Sequence, residues 1–334
     1  MQETDIQWCD STVNPTGFQC AGCELWLPKR KDGKRCYAGR WAERVGGLGA
    51  FNEPVELKPG RMAAAAKWPD LRGQARPEKS WIPKELPRLV FIGDMTDLFC
   101  ESVPFEYLRT EVVETVSKWP HIGILLTKRP TRLVHFSRYL KKRGVEWPDN
   151  LWIGASVTSR KTLSRVGTLL SAAEPWTTKI VSLEPLWESV VGTQVKDMTV
   201  TKGLERYLAP ISYYDDGEGH SDAEQDHSEI SWVITGGESG PHPKPCYVEW
   251  IQEIVELCAN ASLDVDGDPV HCFVKQLGAY CLTHNANTMD WPLSTLLDGE
   301  GEGAAAARAI MSNKKGASWA EWPDQIQVRQ FPSL

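Results

Sequence analysis

The stretch "GFQCAGCELWLPKRKDGKRCYAGRW" (17–41) holds three of the chain's nine cysteines. Cys20 and Cys23 form a CxxC, a spacing that turns two sulfurs toward one centre, and Cys36 follows after twelve residues to bring a third thiolate into the same loop. Three chemistries compete for that pattern. A closed structural zinc knuckle needs a fourth ligand; no histidine precedes His121, so Cys9 would supply it. Three thiolates without a fourth suit a four-iron cluster whose remaining iron stays open to a ligand. A redox dithiol fits least, because no clear amphipathic helix follows "CAGC" and the third cysteine is left over. Cys100, Cys246, Cys258, Cys272 and Cys281 have spacings unlike any compact ligand set and read as buried thiols, with an auxiliary cluster as the alternative.

Lys29, Arg30, Lys31, Lys34 and Arg35 fall between the second and third cysteines, in a chain whose net charge is −7. A local basic patch pinned beside a metal loop suits a phosphate backbone, with Trp26 and Tyr37 available to stack on a base; the plainer reading is a solvated turn. No apolar run approaches the roughly 18 residues of a membrane span, and "MQETDIQWCDSTVNP" lacks the profile of a secretory signal. A cytoplasmic chain with reduced thiols and no membrane partner is expected.

The elements that must position this chemistry recur along the chain. "RLVFIGD" (88–94), "HIGILLT" (121–127), "LWIGASV" (151–157), "KIVSLEP" (179–185), "SWVITGG" (231–237) and "VHCFVKQ" (270–276) read as buried strands. Helical spacing appears in 103–120, 131–144 and 247–260. Strand alternating with helix predicts an α/β fold with parallel strands, a full or partial TIM-type (β/α) barrel, with an open doubly wound sheet as second choice. The expected organisation is a barrel over 1–280 that includes the cysteine-rich loop 17–41 and an acidic surface insertion over 188–230, then a C-terminal extension (281–334) docking back. His220 and His227 in that insertion read as part of a solvated acidic loop rather than a metal site.

Polar residues cluster where the strands end, which is where barrel active sites are built. Gly93, Asp94 and Asp97 lie at or just beyond the end of the first run, Thr127, Lys128 and Arg129 of the second, Ser156 of the third and Glu184 of the fourth. Gly236 and Gly237 end the fifth run and Glu238 follows it, and Lys275 lies in the sixth. Lys128, Glu238 and Lys275 are the candidate catalytic groups, each with a cap or an ion pair as its plainer reading.

Taken in order, "VNPTGFQCAGCELW", "RCYAGRW", "FIGDMTDLF", "LTKRP", "WIGASV", "SLEPL", "WVITGGESGP" and "FVKQLG" resemble the phage-associated three-cysteine-motif family, whose members resemble the radical S-adenosylmethionine (SAM) superfamily. The usual superfamily signature is CxxxCxxC; here CxxC precedes a long gap. Cys9 replaces a residue that is commonly threonine in related sequences and is not counted as a ligand. The resemblance implies a [4Fe-4S] cluster on Cys20, Cys23 and Cys36, SAM on its open iron, and cleavage of the sulfonium to a 5′-deoxyadenosyl radical. Gly93 and Asp94 would then hold the SAM ammonium group, Lys128 or Arg129 its carboxylate, and Ser156 and Glu184 its ribose, while Thr127, Gly236 and Gly237 would line the cofactor. Likeness to the photoproduct lyases that repair DNA lesions points to a nucleobase substrate, such as a modified thymidine in phage DNA, in the cytoplasm of an infected bacterial host. An electron donor such as flavodoxin would be a partner. A zinc-stabilised nucleic-acid-binding protein and a metal-dependent hydrolase are the alternatives.

Overall fold

The computed structural model describes residues 4–18, 20, 22–27, 33–52, 55–192, 203–208, 211–215, 221–225, 228–240, 242–261, 269–284, 291, 296–297 and 306–333, with backbone alone for 211–215, 221–225 and 296–297. Two compact units divide the chain: Met1–Ala155 with Thr168–Thr178 and Ser333–Leu334, and Ser156–Gly167 with Lys179–Pro332.

The first unit carries β1 (Ser11–Val13), β2 (Leu89–Ile92), β3 (Ile122–Thr127) and β4 (Leu151–Ser156). Each pairs with the next in parallel register, Ser11 with Val90, Leu89 with Ile122 and Gly123 with Leu151. Leu89, Val90, Ile124, Leu151 and Ile153 are fully buried. Their continuous apolar composition is that of strands covered on both faces, as parallel sheets are. Helix α1 (Tyr37–Gly46) follows the cysteine loop, and α2 (Pro130–Lys141) opens on a proline at the position where its missing N–H costs nothing. Between β2 and β3 the helical turns Phe105–Tyr107 and Glu114–Val116 flank a π-helical stretch, Leu108–Val113.

The second unit carries β5 (Lys179–Leu183), β6 (Trp232–Gly236) and β7 (His271–Gln276), again parallel. Helix α3 (Val248–Asn260) sets Val248, Ile251, Ile254 and Cys258 on its buried face. The C-terminal segment lies against β6 and β7. Trp232 Nε1 donates to the Gln330 carbonyl at 2.9 Å, Val274 N to the Val328 carbonyl at 2.8 Å, and Phe331 packs on Trp232 and Phe273.

Seven parallel strands thus run in the order β1-β2-β3-β4-β5-β6-β7. The α/β class and parallel strands agree with the sequence. Of the full or partial barrel expected, the full one is corrected and the partial one agrees: among the described residues β1 and β7 are the two ends of the sheet, where a TIM barrel closes eight strands. The expected solvated insertion over 188–230 is also too wide. Val190, Leu204, Leu208 and Ile230 are fully buried, and Ile211–Asp215 pairs antiparallel with Ser221–Gln225. His220 and His227 lie outside the described residues.

His121, at the start of β3, is fully buried. Burial, with the Arg88 charge adding to it, holds its pKa below the ordinary histidine value. The unfolded chain therefore binds a proton that the folded chain refuses, so stability is lost as pH falls through the unfolded value near 6.5. Thermal melts between pH 7.5 and 5.5 are expected to show a shallower decline for His121→Leu than for the parent chain; equal slopes would remove His121 as a source.

Candidate functional site

The cysteine loop closes on itself through its backbone. Trp26 and Lys34 form an antiparallel bridge, Leu27 N donates to the Gly33 carbonyl at 2.7 Å, and the amides of Arg35 and Cys36 both donate to the Leu25 carbonyl at 3.0 and 2.9 Å. This pinch returns Cys36 to within two residues of Cys23, which a gap of twelve residues in the sequence does not reveal. Trp26 is its anchor, 1% exposed and packed edge-on against Phe51. A Cβ on Gly39 would stand 2.5 Å from the Trp26 ring, so α1 seats on the indole only with glycine there. The expectation that Trp26 stacks on a base is therefore corrected, since its faces are spent in the core. Tyr37 is exposed and donates its hydroxyl to the Asp94 carbonyl.

Within the first unit the thiols gather around Cys20. Its sulfur accepts hydrogen bonds from the thiols of Cys100 and Cys23, and Arg129 Nη1 lies 3.5 Å away. Those two thiols, and then the guanidinium, hold Cys20 far below the usual thiol range against the opposing effect of burial. Cys23 and Cys100 are pushed up in turn, each by donating to Cys20 and by burial. Burial also raises Cys36, with the Gly39 and Ala38 amides in the first turn of α1 working against it. Burial opposes the Lys128 charge, but Cys23, Cys36, Asp97 and Cys20 outweigh it and raise its pKa. The three cysteines singled out from the sequence therefore share one electrostatic neighbourhood with two cations.

Cys100, read from the sequence as an ordinary buried thiol, belongs to this neighbourhood. The Cys9 carbonyl accepts from Lys79 Nζ at 2.6 Å, and its thiol acts on Lys79. Among the described residues, no three His, Cys, Asp or Glu side chains gather at the spacing of a single metal ion.

Asp97 organises the rim. It is nearly buried, and its Oδ1 accepts from Phe99 N at 3.0 Å and Thr127 Oγ1 at 2.8 Å, while Oδ2 accepts from Lys128 N at 2.9 Å and Arg129 Nη1 at 3.0 Å. Thr127 Oγ1 in turn accepts from Arg129 N at 2.8 Å. Gly93, with φ +83°, lets the chain turn beyond β2, where a Cβ would meet the Thr96 carbonyl at 2.9 Å. Asp94 Oδ1 accepts from Asn14 Nδ2 at 2.6 Å, and burial raises the carboxyl's pKa.

The remaining predicted residues lie in the second unit. Glu184 Oε1 and Lys275 Nζ form an ion pair at 2.5 Å. Glu238 Oε2 accepts from Trp187 Nε1 at 3.1 Å and Lys244 N at 3.0 Å, and Lys244 Nζ stands 3.7 Å from the Trp187 ring centre. Neither Trp187 nor Lys244 was legible from spacing. Ser156 is buried, and its carbonyl accepts from Arg165 at 2.9 Å. Gly236 and Gly237 were expected to let backbone approach a ligand. The space beside them is filled by the chain itself: a Cβ on Gly236 would lie 2.8 Å from the Gln276 carbonyl, and one on Gly237 2.2 Å from the Leu277 carbonyl.

Of the basic loop, Lys29, Arg30 and Lys31 lie outside the described residues. Lys34 is not free for a phosphate, because Glu43 holds its ammonium at 2.7 Å.

No helix among the described residues is long and apolar enough to cross a membrane. No curated protein and no solved structure matches the chain. A family model does match, over residues 3–320, and the chain accordingly belongs to the family described as protein of unknown function (DUF5131).

Proposed function

We propose that the chain is a radical SAM enzyme that holds a [4Fe-4S] cluster on Cys20, Cys23 and Cys36 and acts on a nucleobase. The observation that carries the reading is the convergence of these three thiols, with Lys128 and Arg129, at the C-terminal end of β3. Three thiolates are the donor set of a cluster with one open iron, and two cations offset the charge of an anionic centre, so the residues fit the group. When bound, the cluster and SAM supply a one-electron cleavage of the sulfonium that yields a hydrogen-abstracting radical. The chain's own part is to hold Cys20 as a thiolate with Arg129 beside it, to keep Cys23 and Cys36 close by, and to keep Arg129 aimed through Asp97. Lys128, charged in this setting, is the group placed to bind the carboxylate of SAM. Asp94, held by Asn14, keeps an acceptor at the end of β2 for its ammonium group. Exposed Tyr37 at the mouth suits a base; Trp26 does not.

A zinc knuckle remains as the second reading because of one observation, the contact of Cys100 with Cys20. Four thiols would close such a site, but Cys20, Cys23, Cys36 and Cys100 would have to draw closer than they stand, since no three of them gather at the spacing of a single metal ion. Anaerobic analysis of iron, sulfide and zinc, with EPR before and after SAM, separates the two. About four irons per chain and a SAM-perturbed signal are expected. One tight zinc and no iron would withdraw the enzyme reading. Adding a thymidine-containing oligonucleotide to the reduced enzyme should raise the yield of 5′-deoxyadenosine, and an unchanged yield would withdraw the nucleobase.

A further inference from the structure

Acids and bases are unevenly spread along this chain. It has 44 Asp and Glu in 334 residues, yet none falls between Glu114 and Glu146, a run that holds eight Lys and Arg. Lys128 and Arg129 belong to the cysteine site, and Arg132 pairs with Glu101 at 2.9 Å. Arg143 lies over the Tyr139 ring at 3.7 Å and acts on Glu106. Arg138, Lys141 and Lys142 are left, all exposed, and among the described residues no carboxylate stands within ion-pair distance of them. Helix α2 sets these cations on one side. Leu133, Val134, Phe136 and Leu140 are buried, while Thr131, His135, Arg138 and Lys142 are exposed at i, i+4, i+7 and i+11, with Lys141 beside them. The helical conformation carries through Lys142, at φ −63° and ψ −15°, so the stripe is unbroken. The negative end of a helix dipole, about half a charge, is matched by less than one cation, and three stand in or next to this last turn. The surplus is available to a ligand.

Resting on the nucleobase reading of the cysteine site, we propose that this face of α2 binds the phosphate backbone of DNA and leads the strand toward the thiols. The helix is placed for it. Arg129, whose guanidinium stands 3.5 Å from the Cys20 sulfur, is the N-cap of α2, so the stripe starts beside the site. From Thr131 to Lys142 a rise of about 1.5 Å per residue gives roughly 16 Å, the span of about five nucleotides at about 3.4 Å each. Cations in such a row hold charge and carry no sequence information, so the face positions the strand and leaves choice of base to the site. With a net charge of −7, contact elsewhere on the chain is disfavoured, which makes a local basic stripe the orienting feature. Composition selects against other partners. Protein interfaces deplete Lys and anchor on large aromatic or apolar side chains, which the stripe lacks. A helix lying on a membrane dips an apolar face into the lipid, and the apolar face of α2 is spent in the core.

The test measures binding of the iron-loaded protein to a short fluorescein-labelled DNA duplex of mixed sequence, by anisotropy across a salt series, with the yield of 5′-deoxyadenosine followed alongside. Arg138→Gln, Lys141→Gln and Lys142→Gln combined should weaken binding about tenfold or more at low salt and make the slope of log K against log salt shallower by about 2–3, close to one per lost phosphate contact. Glutamine is a good helix former, so iron content and SAM cleavage without DNA should stay at parent values. Arg138→Lys alone should bind like the parent. Lys67→Gln, Lys84→Gln and Lys161→Gln combined change the net charge equally at exposed sites elsewhere and should leave the slope unchanged. Equal slopes in the parent and the α2 variant would overturn this face and leave the nucleobase reading standing. A slope reduced in the α2 variant, with no rise in 5′-deoxyadenosine when DNA is added, would uphold the face and withdraw the nucleobase. Binding to phosphatidylglycerol vesicles without binding to DNA would assign the face to a lipid surface and overturn the proposal.

Discussion

Cys20→Ala, Cys23→Ala and Cys36→Ala are each expected to take iron from about four per chain to near zero and to abolish SAM cleavage, whereas Cys100→Ala keeps its iron and shifts the EPR signal. The asymmetry follows from the contacts. Cys20 is the common acceptor for Cys23, Cys100 and Arg129, so its loss removes one ligand and strands three donors. Cys36 is tied to Leu25 by its own amide and sits at the start of α1, so an alanine there leaves the loop closed and removes only the sulfur. Cys100 meets the centre through Cys20, and as a donor to that sulfur it tunes the cluster rather than holding it. Loss of all metal in Cys100→Ala, together with zinc in the parent, would instead establish the four-thiol knuckle. Thermal melts of each variant separate loss of metal from loss of fold.

Much of this arrangement was legible because buried parallel strands announce themselves. The runs at 88–94, 121–127, 151–157, 179–185, 231–237 and 270–276 each contain an observed strand, since both faces of a covered strand must be apolar and the composition shows it without any need for periodicity. β1 escaped for the converse reason: Ser11, Thr12 and Val13 are too few and too polar to register, although all three are buried. Closure of a barrel is a property of strand number and register, which no single run carries. The strand-end rule found Asp94, Asp97, Lys128 and Arg129. Extended three residues past Asp97, it also reaches Cys100, whose amide donates to the Asp97 carbonyl. Trp26 and Trp41 looked alike in the sequence; what separates them is the bridge to Lys34 and the glycine at 39, both tertiary facts.

Asp97→Ala is expected to cost about 3–5 kcal/mol, the range for leaving a buried pair half removed, and so to lower the melting temperature by roughly 4–7 °C. Four donors from two segments, 99 and 127–129, converge on this carboxylate, and two of them, Lys128 N and Phe99 N, are backbone groups with fixed positions. Alanine leaves all four without their acceptor, and it frees Arg129 from the partner that aims it at Cys20. Asp97→Asn preserves shape but must turn an amide NH₂ toward one pair of donors, so it should fall between alanine and the parent. Arg129→Met removes one donor while the carboxylate keeps three, and its side chain is partly open to water, so it should cost least in stability. Iron retention should order differently. Arg129→Met withdraws the cation from Cys20 directly and should weaken the centre at least as much as Asp97→Asn does, visible as faster iron loss to a chelator. If the two variants fell in the same order in both measurements, Asp97 would matter only as a structural brace; opposite orders would place the guanidinium in the working part of the site.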